Sequence, residues 1–118
     1  MKNTRIIYIS HPFTGDEKAN VWDSVRIAKE LVSKFPDIVF LNPLTALEHD
    51  AGICSYDVCM DHCLALLSRC DAIFMSGNWT ESKGCKIEHE FCTMNGIPVF
   101  QTEKELSSFC KVISQDRF

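Results

Sequence analysis

The sequence has no C-x-x-C pair, no glycine-rich phosphate loop and no long apolar run, and each absence removes a class of function. No stretch reaches the roughly 18 apolar residues of a membrane-spanning helix. The start Met1-Lys2-Asn3-Thr4-Arg5 opens onto an apolar segment shorter than a signal-peptide core. A cytoplasmic protein without a membrane partner is expected. Neither G-x-G-x-x-G nor G-x-x-x-x-G-K-[ST] occurs, which argues against a dinucleotide enzyme or an NTPase. Positive charge is not in excess either. Twelve Lys and Arg against sixteen Asp and Glu leave a formal charge of -4, so no global field draws in a nucleic-acid polymer. Internal repeats, linkers and low-complexity segments are also missing. With 118 residues, 46% of them hydrophobic, the chain has the size and mix of one globular domain over 1–118.

Cysteine, by contrast, is plentiful. The seven are odd in number, and the spacings from Cys54 through Cys59, Cys63, Cys70, Cys85 and Cys92 to Cys110 match no metal knuckle. They read as small buried hydrophobes. Cys59 and Cys63 stand four apart with His62 between them, as do Cys85 and His89, so each pair shares a helix face. Helix packing accounts for that spacing, and no metal or other cofactor is expected.

Arg5 to Ser10 is a β-branched and aromatic run suited to a strand buried on both faces. His11 to Asp16 break it. From Lys18 to Phe35 the positions Val21, Val25, Ala28, Leu31 and Val32 recur at three and four, predicting an amphipathic helix. Ile38 to Leu41 is a second strand, ended by Asn42-Pro43 because a residue before proline leaves helical geometry. A loop with His49, Asp50 and Gly52 leads to a helix from Tyr56 to Cys70, with Val58, Cys59, Cys63, Leu66 and Leu67 as its apolar stripe. Asp71 to Met75 forms a third strand and Ser76 to Trp79 a turn. Ser82 caps a helix reaching Met94, which Asn95-Gly96 stops. Ile97 to Phe100 is a short strand, and Glu103 to Ser114 a closing helix. Such alternation predicts an α/β, Rossmann-like three-layer sandwich with a mainly parallel sheet of about four or five strands. Ligands of these sheets sit beyond the carboxyl ends of the strands. Here those ends are Ser10 to Asp16, Asn42 to Leu44 and Ser76 to Gly84.

At the last of these junctions Glu88 follows Gly84 by one helical turn. Helical side chains lean toward the N-terminus, so the carboxylate points over a bare glycine that leaves room for a flat ligand. The helix N-terminus favours the ionised form, which a nucleophilic carboxylate needs. The plain alternative is a solvated acid on a helix whose core stripe is Ile87, Phe91 and Met94, with Cys85, Glu88 and Cys92 half-buried beside it. Glu90 lies about 200° around the helix from Glu88 and does not pair with it.

The order of Ile7-Tyr8-Ile9-Ser10 with Pro12 and Gly15, Asn20, Asn42-Pro43, Cys70-Asp71-Ala72-Ile73, Gly77-Asn78-Trp79, Ser82 with Gly84 and Glu88, and Gly96-Ile97-Pro98-Val99 carries a resemblance. Over residues 5 to 100 the chain resembles the nucleoside 2-deoxyribosyltransferase superfamily, including its nucleoside 5'-monophosphate N-glycosidase branch and related small phage and bacterial proteins. The resemblance implies that Glu88 attacks C1' of a (deoxy)ribosyl group and that Tyr8 orients it. A sheet tyrosine packed in the core is the alternative for Tyr8. It further implies substrate contacts from Ser10, Pro12, Phe13, Gly15 and Asn20 after the first strand. Others come from Asn42, from Gly77, Asn78 and Trp79, and from Ser82 and Gly84.

Ser82 stands where transferases of free nucleosides carry an aspartate, and a serine can donate to a phosphate that an aspartate would repel. It can equally be a simple cap. Cys63 stands where the family's base-contacting carboxylate usually lies, and Glu88-His89-Glu90 replaces Glu-x-Gly. His11, His62, His89 and Asp61 are alternative proton sources, each otherwise a surface group. Trp79 reads as a lid over a base or as a subunit contact. The expected partner is a small nucleoside or nucleotide, in a homo-oligomer. The expected activity is N-glycosidase or deoxyribosyltransferase, and the second reading is a non-catalytic nucleotide-metabolite sensor with the same pocket.

Overall fold

The computed structural model describes residues 3–115. Its chain order is β1 (Ile6–Ser10), α1 (Glu17–Lys34), β2 (Val39–Leu41), α2 (Pro43–Ala46), α3 (Tyr56–Leu67), β3 (Ala72–Met75), α4 (Lys83–Asn95), β4 (Val99–Phe100) and α5 (Glu103–Gln115). The four strands form one parallel sheet in the order β2-β1-β3-β4, which bears out the α/β sandwich. The chain leaves β1 toward β2 on one side and returns to β3 on the other, so the topological switch point lies between β1 and β3.

Side chains alternate across a strand, and the two faces of β1 and β3 therefore build two different cores. Ile7, Ile9, Ala72 and Phe74 pack against Ile27 and Leu31 of α1 and Leu106, Cys110 and Ile113 of α5. Tyr8, Ile73 and Met75 face the opposite way, onto Leu67 of α3 and Cys85 and Cys92 of α4. Each fully buried aliphatic side chain contributes about 1.5–3 kcal/mol relative to exposure. Cys85, Cys92 and Cys110 are buried within these cores, as small hydrophobes.

Three helices sit differently from their hydrophobic patterns. The buried side of α1 is Ser24, Ile27 and Leu31, and Val32 is exposed. A hydroxyl can occupy that side because Ser24 donates to the Val21 carbonyl at 2.7 Å and accepts from Asn42 Nδ2 at 2.9 Å. The rotation leaves Val21 and Val25, with Phe13 and Trp22, lining an open apolar surface groove. In α3 only the C-terminal half meets the sheet core, through Leu67 with Cys63, Leu64 and Leu66, so Val58 stays exposed. The buried stripe of α4 is Cys85, Glu88 and Cys92. Ile87 and Phe91 are only half-buried and Met94 is 77% exposed, opposite to the expected core stripe.

The segment after β2 is more ordered than a loop. Asn42 caps α2 by accepting from Leu44 N–H at 3.1 Å, with Pro43 at the first helical position. A 3-10 turn over Glu48–Asp50 follows.

Candidate active site

Tyr8 and Ser10 lie two residues apart on β1 and so project from the same face, toward α4. From the second turn of α4, Glu88 reaches back between them. The Tyr8 hydroxyl donates to Oε2 of Glu88, and the Ser10 hydroxyl donates to Oε1 at 2.7 Å. Glu88 is 5% exposed, so the solvated alternative does not hold. Glu90 is exposed on the other side of the helix. The carboxylate stands where β1 ends, at the sheet's switch point.

Burial pushes the Glu88 carboxyl up to about 7, while the hydrogen bonds from Tyr8 and Ser10 hold it down. The helix N-terminus does not keep it low, because a dipole effect fades beyond the first turn and desolvation does not. The Tyr8 phenol is raised well above its ordinary value by burial and then by the Glu88 charge, so it keeps the proton it donates. Cys63 faces the same pair. Burial, followed by the Glu88 charge, pushes its thiol to about 11, so it stands beside the pair as a neutral thiol.

The glycine beneath Glu88 is not bare of neighbours. A methyl on Gly84 would stand 3.5 Å from Met60 Sδ and 3.6 Å from the Tyr56 hydroxyl, so α3 covers the space expected for a ligand. No signal in the sequence marks Tyr56, which comes to this place only because α3 crosses α4. Burial and then the Glu88 charge raise its phenol, and Lys83 Nζ lies 5.2 Å above its ring.

Other expected contacts divide into two groups. Gly77, at φ +63°, lies so close that a methyl there would be 3.0 Å from His11 Nε2 and 3.1 Å from Pro12 Cδ. That approach brings the loops after β1 and β3 together. Gly15 turns at φ +114°, and Asn20 holds this turn by donating to the Phe13 carbonyl at 2.9 Å. Ser82 caps α4, its hydroxyl oxygen accepting from Cys85 N–H at 3.3 Å. Asn78 is exposed ahead of the 3-10 turn Trp79–Glu81, and Phe13 is exposed as well. Asn42, by contrast, spends its side-chain oxygen on α2 and its amide on Ser24. Trp79 gives one face to His89, ring centroids 5.0 Å apart and nearly parallel.

His11 is buried rather than superficial, with Nε2 2.7 Å from Asp23 and Nδ1 2.7 Å from the Pro12 carbonyl. His62 pairs with Asp50 at 2.7 Å. Ser76 escaped the sequence pattern. Its hydroxyl donates to the Ser10 carbonyl at 2.8 Å and fixes the end of β1 beside the site.

Residues 5–101 match the model of a family described as a domain of unknown function, DUF4406. The chain belongs to the DUF4406 family. Comparison with curated proteins and with solved structures gives no match. The Tyr8-Ser10-Glu88 arrangement, Gly77 and Gly84 all fall inside the DUF4406 match.

Proposed function

We propose that this DUF4406 chain cleaves or transfers the N-glycosidic bond of a (deoxy)nucleoside or its 5'-monophosphate, with Glu88 as nucleophile. The observation that carries the reading is the buried Glu88 carboxylate, held by two hydroxyl donors at the carboxyl edge of a parallel sheet. One Glu88 oxygen bonds to C1' as the C1'–N bond breaks. The electron pair leaves with the base, which takes up a proton. Water, or a second base, then attacks C1' and returns the carboxylate. Tyr8 and Ser10 fix the carboxylate's orientation through both steps. Ser82 uses its oxygen on the helix cap, which leaves its own proton for a phosphate. Tyr56 retains its phenolic proton, and once moved aside from Gly84 by the ligand it would hydrogen-bond the departing base.

Brief exposure to a 2-fluoro deoxysugar nucleoside or nucleotide should leave one sugar adduct on the Glu88 peptide, seen by mass spectrometry. A panel of deoxynucleosides and their monophosphates should release free base. Saturable binding of the panel with neither adduct nor product would instead establish the sensor reading, which Cys63 in the carboxylate's place favours.

Because Glu88 is nearly closed off, a ligand must displace Tyr56 and Met60 from above Gly84. Gly84→Ala tests this. The added methyl meets only ordinary contacts on a helix, so thermal stability should hold or rise by up to about 1 kcal/mol. Ligand affinity should fall, as measured by calorimetry.

A further inference from the structure

The seven cysteines and four histidines are not fully explained by packing. Among the described residues, one group of three metal-type donors converges: Asp50, Cys54 and His62, whose ligand atoms all lie within 4.8 Å of one another. We propose that Asp50, Cys54 and His62 bind a single zinc ion at the start of α3.

The backbone prepares this grouping. After the 3-10 turn the chain folds back, Ile53 and Cys54 N–H both donating to the Asp50 carbonyl at 3.1 and 3.0 Å, which sets Cys54 beside Asp50. Ser55 then caps α3, and two turns into that helix His62 places Nδ1 2.7 Å from Asp50 Oδ2. An ion pair alone would account for Asp50 and His62. It does not account for a thiol in the same cluster, with the Asp50 side chain only 8% exposed.

Zinc bonds of about 2.0–2.2 Å to oxygen and nitrogen and 2.3 Å to sulfur set tetrahedral ligands roughly 3.3–3.7 Å apart. The widest donor separation therefore needs to close by about an ångström, while the Asp50–His62 pair, now hydrogen-bonded at 2.7 Å, opens by somewhat less to admit the ion. The fourth place falls to water, since His49, although 3.5 Å from Asp50 Oδ1, lies on an exposed side chain outside the group of three. A mixed thiolate, imidazole and carboxylate set suits zinc over magnesium or calcium, which prefer oxygen alone. On binding, Cys54 gives its proton to solvent, Asp50 binds as the carboxylate and His62 as the neutral imidazole with its proton on Nε2. The ion would pin the segment after α2 onto α3, next to Cys63 and its contact with the Tyr8-Glu88 pair.

The full-length protein, stripped with a chelator, is titrated with zinc alone and with cobalt alone. One equivalent should bind, and zinc should raise the melting temperature. The cobalt form should show tetrahedral d–d bands and a thiolate-to-cobalt charge-transfer band. Cys54→Ser should abolish the charge-transfer band while Cys59→Ser retains it, and His62→Gln should weaken zinc binding at least about tenfold. Circular dichroism of each variant checks folding, and Asp50→Asn with His62→Gln serves if Cys54→Ser fails to fold. Absence of stoichiometric binding, or a charge-transfer band that survives Cys54→Ser, overturns the site. These readouts are independent of turnover, so the zinc site and the glycosidic reading stand or fall separately.

Discussion

Glu88→Gln should abolish turnover and at the same time make the protein more stable above neutral pH. Loss of the nucleophile should lower kcat by at least about a thousandfold, since the glutamine amide cannot form the glycosyl ester. The stability gain follows from the direction of the carboxyl's displacement. Its value is about 7 in the folded chain against 4.5 for an ordinary glutamate, so the fold favours the protonated form. Stability from this group is fully present below about 4.5, declines as pH rises toward 7 and is flat above. The difference corresponds to roughly 3 kcal/mol. Glutamine keeps the shape, accepts from Ser10 and carries no charge. Thermal melts should therefore coincide for the two proteins near pH 4, with the variant ahead by about 1–3 kcal/mol at pH 8. Equal melts at both pH values would mean that the buried carboxylate is not the destabilised group described here.

Tyr8→Phe should separate a positioning tyrosine from one that merely fills the core. The ring remains and only the hydrogen bond to Glu88 is lost. Because that bond holds the carboxyl down, its removal should raise the Glu88 value above about 7 and move the acid limb of the rate profile to higher pH. At neutral pH the rate should fall about 100-fold, comparable to loss of one donor to a charged reacting group. The fold should lose about 1–3 kcal/mol, more at pH 8 than at pH 5, because the ionised carboxylate depends most on the donor. A purely structural tyrosine would lower stability while leaving the pH profile in place.

Much of the architecture is legible residue by residue. The alternation of Ile7 and Ile9 with Tyr8 and Ser10, and the short apolar runs before Asn42-Pro43 and Ser76-Gly77, determine strands. The three-and-four spacing from Lys18 onward determines a helix. Ser82 and Gly96 mark the ends of α4, and the caps are where they should be. These signals are local, arising from dihedral preference and nearest-neighbour hydrogen bonds.

Helix rotation is where local reading gives way. Apolar counting alone turns Ile87, Phe91 and Met94 inward on α4. The structure instead turns in a carboxylate, which is possible only because two hydroxyls, 78 and 80 residues away along the chain, meet it. The same holds for Ser24 on α1, tolerated inside because Asn42 reaches it. Tyr56 over Gly84 and Asp50 beside Cys54 and His62 are likewise products of how α3 crosses its neighbours.

The sequence by itself determined the parallel α/β sandwich, its strand ends and the candidacy of Glu88. Only the tertiary structure decided that Glu88 is buried, doubly hydrogen-bonded and poised near neutrality, because burying a charge is permitted by distant partners and not by any property of the helix that carries it.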